Sequence, residues 1–253
     1  MQRIHVCADA DVLAREVAQH FGKLARQAIA ARSRFTVALS GGTSPLATFS
    51  NLAQGAAGHI DWGKVFVFWC DERCVPPDHA DSNYGAAKRL LLDPVRVPAA
   101  NIHRMQGELE PTLAADRYEE CLREYFADTA DRVPQLDLAL LGLGTDGHTA
   151  SLFPETIVVT VLAPENRGRW VLPVHLRSRA AWRITLAPPV INAARHIAFI
   201  ATGGDKATVV REVLQGARRP ETLPAQLIAP LTGDLTWFLD GAAARELRKS
   251  QES

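Results

Sequence analysis

The chain has 253 residues in which 28 Lys and Arg balance 28 Asp and Glu, a formal net charge of zero. That balance excludes the electrostatic excess of a nucleic-acid or membrane-surface partner, so small-molecule chemistry is the expectation. The 4 cysteines form no CxxC pair, which fits reduced thiols in a cytoplasmic protein; residues 1–30 carry charge throughout and no apolar run reaches about eighteen residues, so neither a leader nor a membrane span is expected.

At this length an α/β fold is commonly one unit, and a single domain over 1–253 is expected. Residues 3–7 read as a short apolar strand. Asp9 or Asp11 then caps a helix to about Ala31, whose stripe of Leu13, Val17, Phe21, Leu24 and Ala28 has helical spacing; His20 reads as an ordinary surface or boundary histidine. Residues 35–39 are a second strand, running into Ser40-Gly41-Gly42-Thr43-Ser44-Pro45 and a helix over 46–54 with Pro45 at its first position. Glycines there permit close backbone approach, and a helix N-terminus with free amides suits a phosphate as well as it suits an ordinary capped turn.

Residues 65–69 are a third strand, followed by Asp71-Glu72-Arg73. Charges at the end of a fully apolar run rarely serve the core; a pairing of Arg73 with Asp71 or Glu72 is the plainer alternative. Val75-Pro76-Pro77 is extended, Ser82 or Asn83 opens a helix, 92–101 is a proline-bearing loop and 113–126 a helix. Cys70, Cys74 and His79 have ligand character but lack a fourth partner for a metal.

The stretch 137–154 reads DLALLGLGTDGHTASLFP. Residues 137–141 suit a buried parallel strand, and Gly142, Gly144 and Gly147 then let the backbone turn tightly, presenting Asp146 and His148 at the strand's carboxyl end. The spacing of the three glycines matches a dinucleotide fingerprint. That reading fails on geometry, because Pro154 interrupts any helix begun near His148 and leaves no crossover of a dozen residues.

Residues 155–168 carry no readable pattern; 170–176 and 184–186 read as strands, and Pro188-Pro189 starts a helix to about Arg195. A buried strand over 196–201 leads into Thr202-Gly203-Gly204-Asp205-Lys206 and a helix over 207–214. A lysine in the first turn of a helix opposes the macrodipole, so Lys206 is misplaced there unless an anion sits beside it. A last strand, 235–239, and a helix over 242–249 complete the chain.

This alternation implies an α/β fold: a doubly wound, mostly parallel, Rossmann-like sheet with helices on both faces. Parallel strands bring Ser40 to Pro45, Asp71 to Arg73, Gly144 to His148 and Gly203 to Lys206 to one edge, where such folds bind ligands.

Together these segments resemble the 6-phosphogluconolactonases, within a superfamily that includes glucosamine-6-phosphate deaminases. The most specific pieces are DERCVPPDHADSNY at 71–84 and GLGTDGHTASLFP at 142–154. The deaminases are similar at the glycine turn and at DGH, but carry DEY and AFNEP where this chain has Asp71-Glu72-Arg73 and ASLFP. Two departures from the lactonase pattern are the extra Ser44 before Pro45 and the segment 177–182, RSRAAW, in place of a lysine- and proline-rich loop; the latter leaves open which residues close that side of the pocket.

The resemblance implies hydrolysis of 6-phospho-D-glucono-1,5-lactone to 6-phosphogluconate in the oxidative pentose phosphate pathway, without metal or organic cofactor. It implies a cytoplasmic monomer or small homo-oligomer whose partner is the phosphosugar lactone, with no nucleic acid and no membrane. His148 is then the base that activates water, its ordinary pKa lying near working pH, and Asp146 orients the ring or contacts the sugar. Amides of the turn at Gly144 hold the oxyanion; Gly41, Gly42, Thr43, Ser44 and Lys206 hold the phosphate; Arg73 binds phosphate or carbonyl oxygen, beside Asp71. No GxSxG elbow is present, and Ser151 reads as a helix-turn hydroxyl. The alternatives are a deaminase or isomerase with Asp71 as proton acceptor and, from another class, a sugar-phosphate-sensing module.

Overall fold

A computed structural model describes residues 2–127 and 133–248. Its strands are β1 (Gln2–Cys7), β2 (Phe35–Leu39), β3 (Val65–Trp69), β4 (Asp71–Arg73), β5 (Leu138–Gly142), β6 (Val171–Leu176), β7 (Ala181–Leu186), β8 (His196–Ala201) and β9 (Asp234–Asp240). Six of them form one parallel sheet in the order β1, β9, β8, β5, β2, β3. All five residues of β2 are buried, as is Leu138 to Leu141 of β5. Such uninterrupted buried runs are what a parallel sheet covered by helices requires.

Helix α1 (Ala10–Arg32) buries Leu13, Val17, Phe21, Leu24 and Ala28. Asp9 rather than Asp11 is its cap, accepting the Val12 amide at 2.8 Å, and Ser33 ends it in the left-handed region at φ 59°. Between β2 and β5, Asp137 accepts from the Thr36 amide at 2.9 Å and from Arg32 Nη2 at 2.6 Å. This buried carboxylate fixes the pairing of two strands far apart in sequence.

Helix α2 (Thr43–Ala53) begins earlier than its pattern suggests, so Pro45 is its third residue rather than its first. The proline is tolerated because it still lies in the first turn, where an amide has no helical acceptor. The loop expected at 92–101 is partly helical: a π-helical turn at Lys88–Leu92 passes into Asp93–Val95, with Pro94 again in a first turn. The helix Pro188–Asn192 stops short of Arg195, and the last described helix is Gly241–Ala244; Lys249, expected to end it, lies outside the described residues.

One feature of the architecture has no local sequence signature. β4, β7 and β6 form a second, antiparallel sheet in that order, with Asp71 opposite Thr185 and Arg73 opposite Arg183. The charged triplet that follows β3 is thus itself a strand, because its backbone pairs with residues more than a hundred positions away. Only Cys70 separates it from β3.

Candidate active site

The loop after β2 turns through Gly42 at φ +94° into α2, whose N-terminus no side chain caps. Its first amides are therefore available to a ligand. Gly41 is pressed against Asn83: a Cβ there would lie 1.8 Å from Asn83 Oδ1. Ser44 Oγ and Thr202 Oγ1, 2.7 Å apart, tie this loop to the end of β8.

After β3, the three charged residues take three different roles. Buried Asp71 accepts from Ser151 Oγ at 2.7 Å and from Asn83 Nδ2 at 3.4 Å. Ser151, expected as a helix-turn hydroxyl, is instead a partner of Asp71 across 80 residues, a contact that only folding creates. Glu72 accepts the amides of Arg73, Asn83 and Tyr84 and the Ser82 hydroxyl. It holds the start of α3 (Asn83–Ala87), while Ser82 caps that helix through the Gly85 amide at 3.0 Å. Burial pushes the Glu72 carboxyl up, and its backbone donors only partly oppose this. Arg73 pairs with neither carboxylate; its Nη1 donates to the Asp81 carbonyl at 2.6 Å.

After β5, the glycine turn closes on itself. The Gly144 amide donates to the His148 carbonyl at 2.9 Å and the Gly147 amide to the Gly144 carbonyl at 3.0 Å, with Gly147 at φ +79°. These two amides are engaged within the turn. What Gly144 provides is room: a Cβ there would lie 2.0 Å from His148 Nδ1. Asp146 accepts the His148 amide at 3.1 Å and contacts Nδ1 of the same ring. Burial raises the Asp146 carboxyl, and its bonds to His148 more than reverse this, so the net direction is down. The imidazole stacks on Phe153 at a centroid distance of 4.1 Å. Arg179, from the divergent segment 177–182, lies over that same phenyl ring at 5.4 Å.

Lys206 ends a 3-10 turn, Gly204–Lys206, and opens the helix Ala207–Gln215. Partial burial lowers its pKa, against the opposing influence of Asp205 and Asp240.

These strand ends enclose a cleft of about 270 Å³, lined by Gly41, Gly42, Thr43, Ser44, Asp71, Arg73, Gly144, His148 and Lys206. Asp146 is the exception among the candidates: it faces a neighbouring depression beside Asp205 and reaches the cleft only through His148. Its carboxylate lies against Nδ1 of the ring, on the side of that depression. The cleft also takes in Ser40, Asn83, Thr145 and Ala150. Of these, Asn83 carried a signal, as a polar residue after the double proline, but read only as a cap. Among the described residues Cys70, Cys74 and His79 do not converge as a metal site.

The family described as glucosamine-6-phosphate isomerases/6-phosphogluconolactonase has a model that matches residues 8–237. This chain belongs to that family. Within it, the chain is 41% identical over 223 residues to a 6-phosphogluconolactonase of Synechocystis, covering 88% of each protein. It is 40% identical over 220 residues to the 6-phosphogluconolactonase of Homo sapiens, covering 86% of this chain and 82% of the human one. The solved 6-phosphogluconolactonase of Trypanosoma brucei superposes with a TM-score of 0.82 at 26% identity, covering 98% of this chain and 99% of that one. Membership of the glucosamine-6-phosphate isomerase/6-phosphogluconolactonase family accounts for the parallel sheet and leaves two chemistries to be separated at the cleft.

Proposed function

We infer that the chain hydrolyses 6-phospho-D-glucono-1,5-lactone to 6-phosphogluconate, as its relatives' names state for them. The observation that carries the reading is a single cleft holding a histidine backed by a carboxylate, an uncapped helix N-terminus and a half-buried lysine.

In this reading the phosphate rests on Gly41, Gly42, Thr43 and Ser44 with Lys206 as counter-charge. His148 Nε2 accepts a proton from water as its oxygen attacks the lactone carbonyl carbon, and Asp146 holds the resulting imidazolium. Arg73, which lines the cleft, stabilises the developing oxyanion. Collapse of the tetrahedral intermediate breaks the bond from that carbon to the ring oxygen, which takes the proton from His148. The chemistry as written requires neither metal nor organic cofactor. Among the described residues no helix is long and apolar enough to cross a membrane, and a single-domain cytoplasmic enzyme, monomer or small homo-oligomer, completes the reading.

The deaminase alternative needs Asp71 as a proton acceptor, but that carboxylate is buried and already accepts from Ser151 and Asn83. Lactone disappearance, corrected for the spontaneous rate and run beside ammonia release from glucosamine 6-phosphate, tests the proposal. Catalysed lactone loss without ammonia supports it, and ammonia release without lactone loss overturns it.

A further inference from the structure

A second constellation lies away from the cleft, at the free edge of the sheet. Among the described residues β1 pairs only with β9, and the alternation of a strand puts His5 and Cys7 on one face, with Ile4 and Val6 exposed on the other. From α1, Glu16 comes down on the face of His5 and Cys7. A ring nitrogen of His5, the Cys7 sulfur and a Glu16 carboxylate oxygen all lie within 4.8 Å of one another. His5 Nε2 already contacts the Glu16 carboxylate, and an edge-on contact with Phe238 at 5.6 Å holds the imidazole in place.

The three groups form a floor and an open mouth. Cys7 is buried, whereas the His5 and Glu16 side chains are 49% and 37% exposed, so an ion bound among them would keep one side toward water. The surroundings favour a cation: besides Glu16, the carboxylate-bearing Asp240 is the partner of Cys7 in the pairing of β1 with β9.

We propose that His5, Cys7 and Glu16 bind one divalent transition-metal ion of the zinc class, with three protein ligands and a fourth position open to water. A nitrogen, a sulfur and an oxygen donor suit a borderline ion such as zinc and not the oxygen-seeking calcium or magnesium. On binding, the Cys7 S–H bond breaks, its proton passes to solvent, and thiolate, imidazole and carboxylate each donate an electron pair to the metal, which keeps its charge state. The ion would clamp the edge strand β1 to α1 and stabilise the fold by mass action. The proposal is independent of lactone hydrolysis.

The test uses the full, untagged chain with cobalt(II) and zinc(II) salts as probes. One equivalent of cobalt should give a thiolate-to-metal charge-transfer band that zinc abolishes, and zinc should raise Tm. The surface changes His5→Ala and Glu16→Gln should weaken zinc by at least the roughly hundredfold that losing an outer-shell partner can cost. Cys7→Ala should remove the band, and His5→Ala should leave lactone hydrolysis unchanged. Absence of saturable zinc binding, or binding undiminished in His5→Ala and Glu16→Gln, would overturn the proposal even if Cys7→Ala did not fold.

Discussion

Asp146 grips His148 twice, through the backbone amide at 3.1 Å and through ring atom Nδ1. Two contacts from one carboxylate tie the ring to the turn, and in the proposed mechanism they orient the imidazole as base. Asp146→Asn should therefore lower kcat about a hundredfold, within the range that general-base catalysis contributes, and change KM little. A kcat within a factor of two of the parent would remove Asp146 from the mechanism.

The same pair sets an acid limit. The Asp146 carboxyl lies below its ordinary 3.8 in the folded protein, its bonds to His148 outweighing the opposing effect of burial. A carboxyl depressed by folding contributes stability that is fully present above the unfolded value and is lost as pH falls through the folded one. Denaturant midpoints taken downward from pH 4 should accordingly fall less steeply for Asp146→Asn than for the parent.

Gly144→Ala inserts a methyl 2.0 Å from His148 Nδ1 and so must displace the ring. Since φ at this glycine is not in the left-handed region, the backbone itself tolerates alanine. The expected result is a loss of kcat on the order of a hundredfold, like that of removing the base, with near-parent circular dichroism. Unimpaired turnover would show that the imidazole need not sit beside Gly144.

Glu72 and its four donors explain a different kind of sensitivity. Glu72→Gln replaces an accepting oxygen by a donating amide and leaves buried N–H groups unpaired, at a cost of about 1–3 kcal/mol. Chemical denaturation measures this. Asn83 and Arg73 would shift with α3, so activity should fall along with stability.

For Lys206, Lys206→Ala should weaken 6-phosphogluconate binding far more than gluconate binding, as isothermal titration can compare. Equal weakening would refute the phosphate role. Because burial lowers the lysine pKa, KM should begin to rise with pH below the 10.5 of an ordinary lysine.

Ser151 offers a check on the water mechanism. Its hydroxyl is donated to Asp71 at 2.7 Å, so Ser151→Ala should cost no more than about tenfold in kcat, whereas loss of a covalent nucleophile costs about a millionfold.

The strand ends were legible from residue order because their signals are local. The apolar runs of β2 and β5, the glycines at 41–42 and 142–147, and Lys206 in a first turn each report a backbone requirement that lies within a few positions. Parallel pairing then brings those ends to one edge without any further information. The division of labour within DER was not legible. Whether Asp71 meets Ser151, whether Glu72 receives amides or an arginine, and whether Arg73 turns to a carboxylate or to the Asp81 carbonyl depend on how the chain folds around β4, which pairs with β7 across 110 or more residues.

Sequence by itself therefore determined the parallel α/β sheet and which strand ends meet at the cleft, since hydrophobic period and turn glycines are properties of neighbours along the chain. Only the tertiary structure decided that Asp146 lies against His148, that a side chain at Gly144 would meet that ring, and that His5, Cys7 and Glu16 come together. Those are matters of which side chains pack together once helices and strands have docked, and the spacing of residues along a chain does not encode the direction in which a docked side chain points.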